Sequence, residues 1–413
     1  MKVLILSDYH KLAIDINSNL KNKGHETILL TTRNFCKSDD VINISNLSND
    51  RIIWLLNALR SFIYRKIIFW TKDIPFYQDI SERREYYSFS KIKKKLKTKP
   101  DVVIVLFDYR IITAKTIRNL YKWSRAKFFW MAVDMKPMTG GCSYSGSCIN
   151  YQSDCDNCPA INNFIFKEYA KKQLQTKIDF INGIDLTIIT GSLYQKSQAE
   201  LSSIFKCKPI YSLIFPTDET LFKPRDKTEA RKILNLPLDK KIILFGATDI
   251  TEPRKGFNYL LGALKLLEAR ISVENIMLLI VGQGEDKRIK SLQYEVISLG
   301  LVNYEVLAMA YQSADVFVCP TIEDSGPVMV IQSMLCGTPV VGFEMGVNLD
   351  LIENNKTGYI ASLKSENELS HGIQEVLSFP QSIQQNISSM CLAKSKLVGS
   401  SIFYEKLNEL IIA

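Results

Sequence analysis

Short apolar runs recur along this chain, each ending in polar residues or glycine and each separated from the next by a helix-length segment. In the first half they are Lys2-Val-Leu-Ile-Leu-Ser7, Glu26-Thr-Ile-Leu-Leu-Thr-Thr32, Asp101-Val-Val-Ile-Val-Leu-Phe107, Lys127-Phe-Phe-Trp-Met-Ala-Val133 and Asp185-Leu-Thr-Ile-Ile-Thr190. A run that is apolar on both faces suits a strand buried between two layers of helices, and strict strand–helix alternation predicts a parallel, doubly wound sheet. The pattern restarts after Phe215-Pro-Thr-Asp218, with Lys241-Ile-Ile-Leu-Phe-Gly246, Met277-Leu-Leu-Ile-Val-Gly282, Val316-Phe-Val-Cys319 and Pro339-Val-Val-Gly342.

Two Rossmann-like domains are therefore expected in these 413 residues, a length at which a single core usually stops growing. The predicted division is 1–215, 216–395 and a terminal segment 396–413, whose helix, Ile402 to Leu410, can close the chain against either domain, by packing back on the N-terminal one or staying on the C-terminal one. Two such sheets face a common cleft, and ligands of open parallel sheets bind beyond the carboxyl ends of the strands. Those strand ends carry the residues to read for chemistry.

Composition excludes several classes. With 46% hydrophobic and 23% charged residues the chain is neither disordered nor collagen-like. No glycine-rich dinucleotide fingerprint follows the first strand, which argues against a dehydrogenase, and no P-loop is present. The opening has too few apolar residues for a signal peptide and no run is long enough to span a bilayer, so a cytoplasmic location is expected.

The net charge of +9 is local: residues 1–100 hold 19 Lys and Arg against 10 Asp and Glu. Its densest part, Lys91-Ile-Lys-Lys-Lys-Leu-Lys-Thr-Lys99 behind Arg83-Arg84, suits anionic lipid headgroups, or is a solvated helix face. The block lacks interleaved aromatics and any nucleic-acid module, so no nucleic-acid partner is expected. The stretch Arg51 to Trp70 mixes aromatic, aliphatic and basic residues, as an interfacial helix does, although a helix packed on its own domain reads the same way. Peripheral contact with an anionic membrane, at the inner face of the cytoplasmic membrane, follows as an expectation.

Three constellations carry chemistry. The first is the segment Thr139 to Cys158 within an insertion at 139–160, where Cys142, Cys148, Cys155 and Cys158 are spaced C-x5-C-x6-C-x2-C. Four thiolates at such spacing can close a structural zinc site; an iron–sulfur cluster, disulfides and free thiols use the same residues. The second is Phe245-Gly-Ala-Thr-Asp-Ile-Thr-Glu-Pro-Arg-Lys-Gly-Phe257, between a strand and a helix, where helix-start N–H groups with Arg254 and Lys255 suit a pyrophosphate. A basic helix start of no function is the alternative. The third is Pro320 to Val341, where Gln332 lies on the helix that follows and the strand-end carboxylates Glu323 and Asp324 can accept hydrogen bonds from sugar hydroxyls, each alone reading equally as a solvated loop charge.

Taken in order, the Lys255-Gly256 turn, the Val281-Gly-Gln-Gly284 turn, Tyr311-Gln-Ser-Ala-Asp-Val-Phe-Val318, the acidic loop and Cys336-Gly-Thr-Pro-Val-Val341 resemble the family-4 retaining glycosyltransferases. Asp134-Met-Lys-Pro-Met-Thr-Gly-Gly-Cys142 is similar to a subgroup that builds bacterial surface polysaccharides. The resemblance implies a GT-B fold whose C-terminal domain holds a nucleoside-diphosphate sugar, its base left open. Lys255 and Arg254 would hold the diphosphate, Asp324 with Glu323 the sugar and Gln332 the ribose, with Gly246 and Gly282 in the same donor site. From their strand-end placement, Asp8, His10 and Asp134 are the catalytic candidates facing a saccharide or lipid-linked acceptor, a lone histidine such as His10 also reading as structural, and no catalytic metal is expected because positive side chains stand in for one. The chain departs from the pattern at Gln332, where a second glutamate is usual, near Thr248, which lacks an arginine, at Ser7-Asp-Tyr-His10, which lacks a glycine pair, and at Val133, which lacks a histidine. A catalytically inactive scaffold of the same fold, binding a partner transferase or a membrane, is the alternative reading.

Overall fold

The computed structural model describes residues 1–8, 11–32, 38–44, 55, 59, 62, 81–106, 112–161 and 163–413. Among them, thirteen strands form: β1 (Lys2–Leu6), β2 (Glu26–Thr31), β3 (Val41–Asn43), β4 (Val102–Val105), β5 (Lys127–Ala132), β6 (Leu186–Thr190), β7 (Ile210–Ser212), β8 (Lys241–Asp249), β9 (Ile276–Gln283), β10 (Glu295–Ser298), β11 (Val316–Cys319), β12 (Val340–Phe343) and β13 (Gly358–Ala361). The segment Arg51 to Trp70, apart from Leu55, Leu59 and Phe62, lies outside the described residues, as does His10.

The chain divides into two compact units, one of residues 1–191, 195–213 and 404–413, the other of 192–194 and 214–403. In the first, the strands run β3-β2-β1-β4-β5-β6-β7, all parallel. Strand order reverses between β1 and β4, the switch point of a Rossmann sheet. Phe128 and Trp130 of β5 point into one core with Leu4, Val103 and Ile188 from neighbouring strands. The helix Ala114–Ser124 starts on Thr113, whose hydroxyl accepts from Thr116 N, and ends at Arg125 in the left-handed conformation. Residues 404–412 of the terminal helix Ser400–Ile412, with Ala413 after it, belong to this unit, and there Asn408 Oδ1 meets His25 Nε2 at 2.8 Å.

The second unit repeats the plan as β10-β9-β8-β11-β12-β13, again fully parallel, with its switch point between β8 and β11. The helix Phe257–Glu268 buries Leu260, Leu261, Leu264 and Leu267 against the sheet, each stabilising by roughly 1.5–3 kcal/mol relative to exposure. Beneath the opposite, amino-terminal ends of β8 and β11 lies a buried ion pair. Arg231 Nη2 sits 2.8 Å from Asp315 Oδ2, Arg231 also donates to the carbonyls of Ser313, Leu238 and Lys240, and Ile242 N donates to Asp315. No helix among the described residues is long and apolar enough to cross a membrane.

Candidate active site at the sheet switch points

In the second unit β8 runs out into a 3-10 turn, Pro253–Lys255, followed by Gly256 in the left-handed conformation (φ 73°) and the helix Phe257–Glu268. Gly256 is required on two counts. Its φ disfavours any side chain, and a Cβ there would lie 1.7 Å from the carbonyl oxygen of Pro320, at the end of β11. Ile322 N donates to Arg254 O at 2.8 Å, so the loop after β8 and the loop after β11 are joined by backbone across the switch point.

That junction brings opposite charges together. Arg254 Nη1 and Lys255 Nζ each lie 2.7 Å from the same oxygen, Asp324 Oδ2, while Asp324 Oδ1 accepts from Gly326 N at 3.2 Å. Glu252 takes the other side of the guanidinium, 2.5 Å from Arg254 Nε. The Asp324 side chain is only 12% exposed. Burial works to raise its pKa, but the Lys255 ammonium and the Arg254 guanidinium outweigh burial and hold the carboxyl below the usual carboxylate range.

The other predicted donor-side residues surround this cluster in chain terms and take distinct places. Gly246 lies within β8 against the Met329 side chain. Gly282, near the end of β9, packs on the Ala247 carbonyl, which a Cβ would approach to 1.8 Å, and its N–H donates to Gly300 O. Glu323 contributes its backbone carbonyl to Arg254 Nη1 at 3.4 Å. Gln332, on the helix Val328–Leu335, is buried and its amide oxygen accepts from the hydroxyl of Tyr311 at 3.2 Å. Tyr311 is fully enclosed, and burial pushes its phenol far above the ordinary value.

In the first unit Asp8 follows β1 and accepts from the Thr32 hydroxyl at the end of β2. Asp134 follows β5, is buried, and uses Oδ1 to accept from Lys136 N at 2.9 Å, closing the turn that leads to the cysteine segment. His10, the third predicted acceptor-side residue, lies outside the described residues.

The cysteine segment is tightly built. Gly140 packs on the carbonyl of Ala170, which a Cβ would approach to 2.4 Å, and Cys155 and Asn157 both adopt positive φ. Cys142, Cys148, Cys155 and Cys158 are free thiols and line one small cavity with Thr139, Ser145 and Tyr151. Cys142 and Cys158 share a hydrogen bond that raises the Cys142 thiol and lowers that of Cys158, and burial pushes Cys155 up to about 11. Among the described residues no group of three or more histidine, cysteine or acidic side chains has the spacing of metal ligands.

Sequence reasoning missed what props this segment from below. Lys177 is 1% exposed; its Nζ donates to the carbonyls of Lys136 (2.5 Å) and Thr139 (2.8 Å) and lies 3.6 Å from Glu82 Oε1, which is also buried. The signal was a lysine in register with Ala170, Gln173 and Leu174 on the inward face of the helix Tyr169–Ile181.

The two Rossmann-like parallel sheets define a GT-B fold, the architecture of the solved structures this chain is similar to. It superimposes on sucrose-phosphate synthase of Thermosynechococcus elongatus with a TM-score of 0.70 at 16% identity, over 99% of this chain and 98% of that one. Anabaena HepE, solved in complex with UDP and glucose, gives a TM-score of 0.65 at 14% identity, over 100% and 99%. Within the second unit, residues 226–389 match the family described as Glycosyl transferases group 1. An uncharacterized glycosyltransferase of Methanocaldococcus jannaschii is 31% identical over 193 residues, which cover 43% of this chain. The match spans about half of that relative, 48% of its length.

Proposed function

We propose that the chain is a glycosyltransferase that moves a sugar from a nucleoside-diphosphate sugar to a hydroxyl of a saccharide or lipid-linked acceptor. The observation that carries this reading is the Arg254–Lys255 pair at the carboxyl-end switch point of the second sheet, inside the stretch that matches the transferase family. Lys255 and Arg254 would hold the diphosphate and stabilise the charge that grows on it as the glycosidic bond breaks. Asp324 and Glu323 would orient the sugar, Gln332 would meet the ribose, and Gly246 and Gly282 would complete the donor site. Asp8, Asp134 and His10 would serve the acceptor.

Retention of configuration and a role in cell-surface polysaccharide synthesis rest on the family resemblance of the motifs. The exposed lysines Lys93, Lys94, Lys95, Lys97 and Lys99, on and beyond the helix Phe89–Leu96, favour an anionic membrane surface on the cytoplasmic side as the place of work. The test is a thermal-shift titration with a panel of nucleotides and nucleotide sugars, since a ligand of the folded state raises Tm by mass action. A selective rise with one nucleoside-diphosphate sugar is expected. A folded protein indifferent to every donor would instead favour an inactive scaffold that binds a partner transferase or a membrane.

The four clustered cysteines support a structural zinc ion in the same unit. Its binding would require the sulfurs to draw together and the Cys142–Cys158 hydrogen bond to give way to thiolate ligation. Metal analysis of the purified protein is expected to give about one zinc per chain, lost in Cys155→Ser. Metal-free protein with all four thiols open to titration would identify a packed thiol cluster instead.

A further inference from the structure

We infer that Asp324 is a built-in competitor for the diphosphate, which must give up Lys255 and Arg254 before a donor can bind. The inference rests on the reading of these two cations as the diphosphate site. One carboxylate oxygen, Asp324 Oδ2, lies 2.7 Å from both cationic groups, in the relation a phosphate oxygen would take. Glu252 neutralises Arg254 from the other side, so the two cations face two carboxylates and present little net positive charge to an approaching anion.

All three side chains of the inner cluster are largely buried, at 12% exposure for Asp324, 14% for Arg254 and 19% for Lys255. Water therefore does little to loosen the pair, and a diphosphate has to replace the carboxylate rather than add to it. The base of the acidic loop is held by Ile322 N on Arg254 O, which makes the exchange a rotation of the Asp324 side chain rather than a displacement of the loop. Once released, Asp324 needs new hydrogen-bond donors, and the hydroxyls of a donor sugar supply them. A bare nucleoside diphosphate has no such sugar hydroxyls to place beside the carboxylate. The competitor thus taxes the product more than the intact donor and makes the site select for the sugar-bearing nucleotide.

Calorimetric titration of the wild type and of Asp324→Asn with UDP, GDP and ADP, and with the corresponding NDP-glucose, tests this. Asparagine keeps the shape and an oxygen for Gly326 N but removes the charge. Asp324→Asn is expected to bind the nucleoside diphosphate about 10-fold more tightly than the wild type, within the usual range of site couplings. The preference for NDP-glucose over NDP should shrink in the same variant. An unchanged or weaker Kd for the diphosphate in Asp324→Asn, with an unchanged unfolding transition and a wild type that binds, overturns the inference and leaves the diphosphate site standing. If neither protein binds any nucleotide, the diphosphate site falls and the inference with it. Asp324→Ala, read in the same titration, separates loss of charge from a new amide contact, because only the former predicts tighter diphosphate binding in both variants.

Discussion

Lys255→Ala is expected to lower sugar transfer by about 100- to 1,000-fold, the usual cost of removing one group that stabilises charge developing on a leaving oxygen. The readout is nucleoside-diphosphate release from the donor that the thermal-shift panel selects. The fold should survive, because Asp324 keeps Arg254 at 2.7 Å and Gly326 N at 3.2 Å when the ammonium is gone. Lys255→Arg is expected to recover only part of the rate. Its planar fork cannot occupy the position of a compact ammonium beside a second guanidinium without shifting one of them. Full activity of a folded Lys255→Ala protein would place the diphosphate elsewhere.

The largest effect on stability is expected far from that chemistry. Asp315→Ala should destabilise the second unit by about 3–5 kcal/mol, the usual cost of leaving a buried charge without its partner. Arg231 is 6% and Asp315 7% exposed at the side chain, and the guanidinium would be left with carbonyls alone. Urea unfolding monitored by fluorescence, with the midpoint shift read at constant slope, measures it. Burial acts to raise the Asp315 pKa, yet Lys227, the Ile242 N–H and Arg231 together carry it below the ordinary 3.8. A depressed folded value means that the stabilisation is complete above the unfolded pKa and is lost as pH falls through the folded one. The difference between variant and wild type should therefore be flat from pH 5 to 8 and close only in acid. A midpoint shift under about 1 kcal/mol would show that the pair is replaceable by water.

The interior of both sheets was legible in the sequence and their margins were not. β1, β2, β4, β5, β6, β8, β9, β11 and β12 are apolar on both faces because helices cover both, and such runs stand out in any window. β3, β7, β10 and β13 went unread, and all four are edge strands. They are short and only partly buried, so Ile210-Tyr-Ser212 or Glu295-Val-Ile-Ser298 carries no signal that separates it from a loop. Strand-end positions likewise flagged Lys255 and Asp324 separately. Their ion pair, across 69 residues of chain, follows from the neighbouring places of β8 and β11 in the sheet order and from no local motif. Gln332 was read as a ribose contact from its place in the family's motif, whereas its hydrogen bond to Tyr311 depends on a helix packing that the motif does not encode.

The backbone joint at Gly256 and Ile322 also bears on how such a site can be altered. With the Pro320 carbonyl seated where a Gly256 Cβ would be, and Ile322 tied to Arg254, a residue added to or removed from one loop shifts the other out of register. The basic and acidic halves are thus a single heritable part. Transplanting donor specificity from one such sheet to another would have to carry both segments, roughly 249–257 and 320–327, as one cassette, since either alone would arrive without the surface that shapes it.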